Sequence, residues 1–260
     1  MTNYENMFSL KGKTALVAGA SRGIGLAIAQ AMAASGANTL LAARSADKLE
    51  VEAALLREQG YSASAVRLDV IDSASIDAAV GSLAEIDILV NVAGTNIRKQ
   101  FEKYTREEFD YLIQHNLTGL FELTQRVGEK MIARGQGGKI VNIGSLSTIL
   151  GLPYISVYAI TKGGLGQMTR VLGAEWAQYN IQVNCILPGY IETDLTRKVW
   201  QDPKLREWLA NTQPNPRLGR PEDIAGLAVF LSGAASDYLT AQLIAVDGGL
   251  STTVMWPFKP

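Results

Sequence analysis

Short apolar runs alternate with helical periodicities along almost the whole 260-residue chain. The runs are Thr14–Val17, Thr39–Ala43, Ala63–Leu68, Ile86–Val90, Lys139–Ile143, Gln182–Ile186 and Leu243–Val246. They are apolar on both faces, the pattern of strands in a parallel sheet covered on each side. Between them the spacing predicts helices over Ile24–Ser35, Ala46–Gln59, Ser73–Leu83, Arg106–Arg134, Tyr158–Gln178, Pro203–Asn211 and Pro221–Leu231. This alternation predicts an α/β fold: a Rossmann-like, doubly wound parallel sheet in three layers, with ligands at the strand C-terminal ends. No repeat, low-complexity tract or linker interrupts it, so residues 1–260 read as one domain. The segment Gly189–Arg220 departs from the pattern, being polar, rich in proline (Pro203, Pro214, Pro216) and long for a strand–helix connection. Long connections of this kind are usually binding loops or lids, and a substrate-covering flap is expected at about 189–220.

Composition removes several classes of function. Hydrophobic residues make up 47% of the chain and charged residues 19%, and the net charge of −1 gives no basis for binding nucleic acid or an anionic membrane. No apolar run approaches the ~18 residues of a membrane helix. The N-terminus lacks an apolar signal core, so cytoplasmic location is the expectation. Cys185 and His115 are each the only residue of their type. An intrachain disulfide and a Cys/His zinc site are therefore excluded, and no metal is expected. A serine hydrolase would have to use His115, which precedes Asn116 in a helical stretch.

Two patterns carry chemistry. Tyr158 and Lys162, at i and i+4, share a helix face, and Ser145 lies thirteen residues before the tyrosine. An ammonium beside a phenol favours the phenolate, lowering a pKa that starts near ~10. Serine can hold a carbonyl oxygen while tyrosine moves the proton. Spacing alone also fits two unrelated surface residues. The second pattern is the apolar run ending at Ala18, then Gly19-Ala20-Ser21-Arg22-Gly23-Ile24-Gly25, then an Ala-rich amphipathic stretch. Strand, glycine turn and helix form the context of a dinucleotide fingerprint, in which glycines admit a pyrophosphate to the helix N-terminus. An ordinary tight turn would use glycine as well.

From Phe8 to Gly249 these motifs, in this order, resemble the classical short-chain dehydrogenase/reductase family. The resemblance implies a cofactor turn at Gly19, Ser21, Arg22, Ile24 and Gly25. It implies an adenine contact at Asp69-Val70 and a turn after the fourth strand at Asn91, Ala93 and Gly94. Pro188, Gly189, Ile191 and Thr193 match the segment that meets the nicotinamide carboxamide. Asn116, Ser145, Tyr158 and Lys162 match the catalytic tetrad. Tyr158 would be acid in reduction and base in oxidation. Lys162 would lower its pKa and hold the nicotinamide ribose, and Ser145 would orient the substrate oxygen. Asn116 would bend its helix and hold a water leading from Lys162 to solvent. Ala18 and Val92 stand where the family commonly has threonine and a second asparagine, so local rigidity there is in question. The resemblance also implies a homotetramer built on the two long helices. Their apolar residues Leu117, Leu120, Leu123, Leu165, Met168 and Leu172 are too many for one sheet face. The tail Val254–Phe258 would pack on a neighbouring subunit.

At the end of the second strand the sequence runs Leu41-Ala42-Ala43-Arg44-Ser45, with no carboxylate to accept the ribose 2′-hydroxyl of NAD until Asp47. Arg44 and Arg22 could instead meet a 2′-phosphate, so NADP(H) is the expected cofactor. For the small-molecule substrate, the second half resembles the gluconate and deoxygluconate dehydrogenase branch. That implies a sugar acid or keto-sugar, with a general ketone reductase as the alternative. Arg98 could pair with a carboxylate, though a loop arginine in solvent would read the same. Ser145, Ser147, Tyr158 and Tyr190 are the further substrate candidates, with Ile149, Leu152 and Tyr154 as pocket candidates. A non-catalytic dinucleotide-binding regulator would keep the glycine turn and lose Tyr158 or Lys162; this chain keeps both.

Overall fold

The computed structural model describes residues 6–194 and 196–255. Seven strands, β1 (Thr14–Ala18), β2 (Asn38–Ala43), β3 (Ala63–Arg67), β4 (Ile88–Asn91), β5 (Gly138–Ile143), β6 (Ile181–Pro188) and β7 (Leu243–Val246), form one sheet. The order is β3-β2-β1-β4-β5-β6-β7 and every pairing is parallel. Side chains in β1 alternate between two cores. Ala15 and Val17 pack with Ile28 and Met32 of helix α1 (Gly23–Ala34) and Ile224 and Ala228 of helix α8 (Pro221–Ser232). Leu16 and Ala18 face the opposite core, with Ile76, Leu120, Leu123 and Leu165. Two buried faces are why the strands read as unbroken apolar runs.

Strand order reverses at β1, which pairs with β2 on one side and β4 on the other. A cleft opens at the carboxyl ends of strands at such a reversal. The turns after β1 and β4 meet there, since Val92 and Ala93 both donate backbone bonds to Ala18 O at 2.9 Å. The rigidity placed in question at Ala18 and Val92 is thus supplied by the main chain.

The stretch expected as one helix over Arg106–Arg134 is instead three pieces: α4 (Arg106–Ile113), a π turn at Gln114–Thr118 and α5 (Gly119–Arg134). The widened turn aims the buried Asn116 amide sideways, where it accepts from Thr95 N and donates to Thr95 O, both at 2.8 Å. Directly after it, Gly119 lets the helix touch the Val70 carbonyl, which any Cβ would strike. Helix α6 (Ser156–Glu175) begins two residues earlier than expected, placing Tyr158 in its first turn. Helices α2 (Ala46–Glu58), α3 (Ser73–Ser82) and α7 (Pro203–Thr212) complete the set used below.

Two expectations about surplus apolar side chains change. Leu120, Leu123 and Leu165 are fully buried in the chain's own core, because α5 and α6 both pack on the sheet. The exposed apolar residues on these helices are instead Phe121, Ile160 and Val171, with Tyr111 on α4. Of the tail, Val254 and Met255 are exposed, and 256–258 lie outside the described residues.

Candidate active site and cofactor cleft

Ser145 follows β5 and Tyr158 and Lys162 belong to α6, so the triplet is assembled by packing α6 beside the end of β5. The buried Lys162 Nζ donates to Ile143 O at 2.7 Å and stands 5.8 Å from the centroid of the Tyr158 ring. Gly94 joins Lys162 to Asn116: a Cβ there would lie 3.4 Å from Asn116 Oδ1 and 3.5 Å from Lys162 Nζ. The four tetrad positions are therefore neighbours. Thr148, which sequence reasoning missed, ties them together. Its hydroxyl accepts from Ser145 N and donates to Lys162 O, each at 3.2 Å. The Ser-x-x-Thr spacing of a capping box was the available signal.

The electrostatics differ from the simple ammonium–phenol expectation. Burial raises the Tyr158 pKa above its usual value, while the Ser145 hydrogen bond and the Arg98 charge pull it down. The Lys162 ammonium, 5.8 Å from the centroid of the Tyr158 ring, also favours the phenolate. Desolvation lowers Lys162 to about 8. The Cys185 thiol is pushed up to about 11 by burial, which leaves it an inert neutral neighbour.

Burying Lys162 has a measurable cost. With a folded pKa near 8 against 10.5 in the open chain, the unfolded state binds more protons between those values, so this group makes stability rise with pH across that window. Below pH 8 the penalty is constant, about 3 kcal/mol. Lys162→Met should therefore be more stable than the parent at pH 7 and lose the excess as pH climbs toward 10.5. Urea unfolding of both proteins without cofactor, at pH 7 and at pH 10, measures the difference. A gap that does not shrink with pH removes this assignment.

Candidate substrate residues separate into two groups. Tyr190, half-buried, has its ring edge-on to Trp200 and Trp208, at 5.2 and 5.5 Å between centroids. Arg98 is exposed, and its charge lowers both Tyr190 and Tyr158 against the raising effect of their burial. Ile149 and Tyr154 are exposed at the surface and Leu152 is partly so. Ser147 does not offer its side chain: its hydroxyl is buried without a partner among the described residues, and its backbone N–H bonds Ser145 Oγ at 3.2 Å. It orients Ser145 through the main chain. A cavity of about 240 Å³ lies beneath Tyr190, lined by Ile191, Gln213, Arg217 and Asp247, with none of the tetrad in its wall. The chemistry follows the tetrad and not this cavity.

The cofactor cleft passes a steric test. Gly19 has φ +99°, and a Cβ on it would stand 2.8 Å from Ala93 N; a Cβ on Gly25 would strike the Gly19 carbonyl. Glycine at these two positions lets the turn close against the turn after β4 and against the start of α1, which fixes the helix N-terminus where the resemblance implies a pyrophosphate. A Cβ on Gly23, at φ +56°, would lie 3.5 Å from Thr193 Cγ2, so the segment after β6 runs beside the glycine turn. Helix α1 has no acidic residue in its first turn and no side-chain cap from Arg22, so its N–H groups face outward uncapped. Ser21 is partly exposed beside them. Arg22 and Arg44 are exposed and form no ion pair among the described residues. Ser45, the N-cap of α2, makes no side-chain cap bond and stands next to Arg44, an additional donor not singled out from sequence.

Asp69 is partly exposed, its carboxylate accepting from Ile71 N at 3.3 Å. Val70 is buried under Gly119, Ile24 and Ile191 pack on the core, and Pro188 and Gly189 end β6 against Asp247. Asn91 has a structural role beside the cofactor contact that the resemblance implies. Its side chain is 0% exposed, donating to Thr124 Oγ1 at 2.9 Å and Asn142 Oδ1 at 2.8 Å. Asn142 in turn donates to Thr169 Oγ1 at 2.9 Å. This buried chain links β4, β5, α5 and α6 beneath the cleft, and Asn91 holds the turn from below.

Comparison with known proteins agrees with this geometry. A family model described as Enoyl-(Acyl carrier protein) reductase matches residues 19–251. Gluconate 5-dehydrogenase of Gluconobacter oxydans is 36% identical over 256 residues, 97% of this chain and 100% of its own length. 2-Dehydro-3-deoxy-D-gluconate 5-dehydrogenase of Bacillus subtilis is 40% identical over 245 residues, covering 93% and 96%. The crystal structure of a gluconate 5-dehydrogenase from Burkholderia cenocepacia J2315 in complex with NADP and tartrate superposes with a TM-score of 0.93, at 38% identity, over 97% of this chain and 100% of that one. Matched over most of its length by the family model and over nearly its full length by these relatives, the chain belongs to the short-chain dehydrogenase/reductase family.

Proposed function

We propose that the protein is an NADP(H)-dependent oxidoreductase that interconverts a secondary alcohol and a ketone on a sugar acid. The observation that carries the reading is the convergence of Ser145, Tyr158 and Lys162 beside Arg98, a cation with no ion pair among the described residues, whose charge reaches the tyrosine that moves the proton. Relatives across the full length act on gluconate or its deoxy-keto derivatives, and a solved relative holds NADP and tartrate, itself a hydroxy acid.

The glycine turn and the N-terminus of α1 would hold the pyrophosphate, Arg22, Arg44 and Ser45 the 2′-phosphate, and Lys162 the nicotinamide ribose. The bound nicotinamide supplies the hydride. Ser145 holds the substrate oxygen and Tyr158, protonated at neutral pH because burial raises it, donates the proton in reduction. In oxidation Tyr158, once deprotonated, is the base. Arg98 pairs with the substrate carboxylate, setting which carbonyl reaches Tyr158. The segment 189–220, with Tyr190 held by Trp200 and Trp208, covers the substrate.

Mass spectrometry of the alcohol formed from a keto-aldonate and NADPH, with and without a chelator, tests the reaction. The expected result is stoichiometric, chelator-insensitive conversion. No product from any keto-aldonate in a panel, with turnover of simple ketones, would favour the general ketone reductase.

The protein is also assigned a homotetrameric state in the cytoplasm. Tyr111, Phe121, Ile160 and Val171 leave apolar surface on α4, α5 and α6 that a second copy would cover. Light scattering at micromolar concentration should give four times the mass of one 28.0 kDa chain; a monomer would contradict it.

A further inference from the structure

Arg98 lies on a loop whose neighbouring residues are tied down on every side. Both backbone groups of Thr95 bond the Asn116 amide. The Tyr104 hydroxyl donates to Ile97 O at 2.5 Å. Lys99 N donates to Tyr154 O at 2.8 Å, and Lys99 Nζ meets both oxygens of Glu108 at 2.6 and 2.7 Å. Glu108 is itself fixed by the Thr105 capping box that starts α4. Between Ile97 and Lys99, Arg98 alone has neither an ion pair nor a hydrogen bond among the described residues.

Tyr154 adds an independent observation. It has φ +67°, one of three non-glycine residues with positive φ among the described residues, a conformation that costs free energy for a bulky side chain. Its side chain is 62% exposed and makes no hydrogen bond among the described residues, so side-chain contacts give no reason for the strain. Its carbonyl does: the left-handed turn aims it at Lys99 N.

We propose that the Lys99–Glu108 ion pair and the left-handed Tyr154 carbonyl form a brace that fixes Arg98 as the carboxylate-recognising group, Lys99 being a strut and not a second ligand. This rests on the reading of Arg98 given above. An arginine on a loose loop loses freedom when it binds an anion, whereas a braced one has lost it already and binds more tightly. The Thr95–Asn116 tie also sets the loop's distance from the catalytic set. Lys99, Glu108 and Tyr154 are thus positioning residues.

The test compares KM and kcat for a keto-aldonate and for a neutral ketose of the same length, at saturating NADPH. Glu108→Gln frees Lys99, adding unpaired positive charge near Arg98. If Lys99 is a strut, KM for the acid rises about tenfold while kcat and the neutral substrate change by less than about twofold. If Lys99 is a direct ligand, KM for the acid falls, and the proposal is overturned. Lys99→Glu combined with Glu108→Lys should recover most of the loss, which a general folding defect would not allow. Tyr154→Gly keeps the carbonyl and permits positive φ, so KM stays at the wild-type value. Tyr154→Val resists that φ and should raise KM for the acid alone. Equal damage from glycine and valine would mean that the Tyr154 side chain matters and the brace does not. Arg98→Met separates the two levels. If it leaves acid KM unchanged, the Arg98 reading fails; if it raises acid KM while Glu108→Gln and Tyr154→Val do not, the brace alone fails.

Discussion

Tyr158→Phe should lower turnover by about 10²–10⁴-fold, the range for removal of a positioned proton donor, and leave NADPH affinity within about twofold. Phenylalanine keeps the ring that packs over Lys162 and removes only the oxygen that Ser145 bonds. The proposed cofactor contacts, at the glycine turn, at Lys162 and at the β2 end, would not depend on that hydroxyl. Because burial raises the Tyr158 pKa, the wild-type phenol is protonated at neutral pH and ready to act as an acid. Reduction should accordingly fail on the alkaline side while oxidation gains there. Steady-state kinetics with fluorescence titration of NADPH reads both quantities. Turnover within a few-fold of wild type would remove Tyr158 from the chemistry.

Arg44→Asp should reverse the cofactor preference. The end of β2 has no carboxylate, and Arg44 and Arg22 stand exposed without an ion pair among the described residues. A charge-assisted bond to phosphate contributes about 1.5–3 kcal/mol, and repulsion in the variant adds to its loss. The NADPH to NADH ratio of kcat/KM should therefore fall by about 10²–10³-fold. The same carboxylate gives the NADH 2′-hydroxyl an acceptor, so NADH activity holds or rises. A ratio that stays put would make Arg44 a solvated loop charge.

Where side-chain chemistry repeats with a period, the sequence was readable. β1 and β2 announced themselves because both their faces are buried, and the glycine turn because Gly19 and Gly25 stand where no Cβ fits. The tetrad was visible through Tyr158 and Lys162 on one helix face. Periodicity did not show the π turn at Gln114–Thr118, since an extra residue over five positions barely disturbs it; only the resemblance implied a bend there, at Asn116. Its cause lies across the fold, in the bonds between Asn116 and Thr95. Leu120, Leu123 and Leu165 read as surplus because a sequence does not show how much of a helix the sheet covers. The link from Asn91 through Asn142 to Thr169 joins residues 51 and 27 positions apart, and only folding brings them together. Tyr154 gave no signal either, because an aromatic residue after proline carries no mark of a left-handed backbone.

In the proposed site a proton-moving tyrosine stands beside an anion-reading arginine. The most direct measurement of this pairing is the ratio of kcat/KM for a keto-aldonate over the corresponding neutral ketose, with saturating NADPH at pH 7. A correctly placed guanidinium–carboxylate pair predicts a preference for the acid of about tenfold or more. Parity, or a preference for the neutral sugar, would contradict the account.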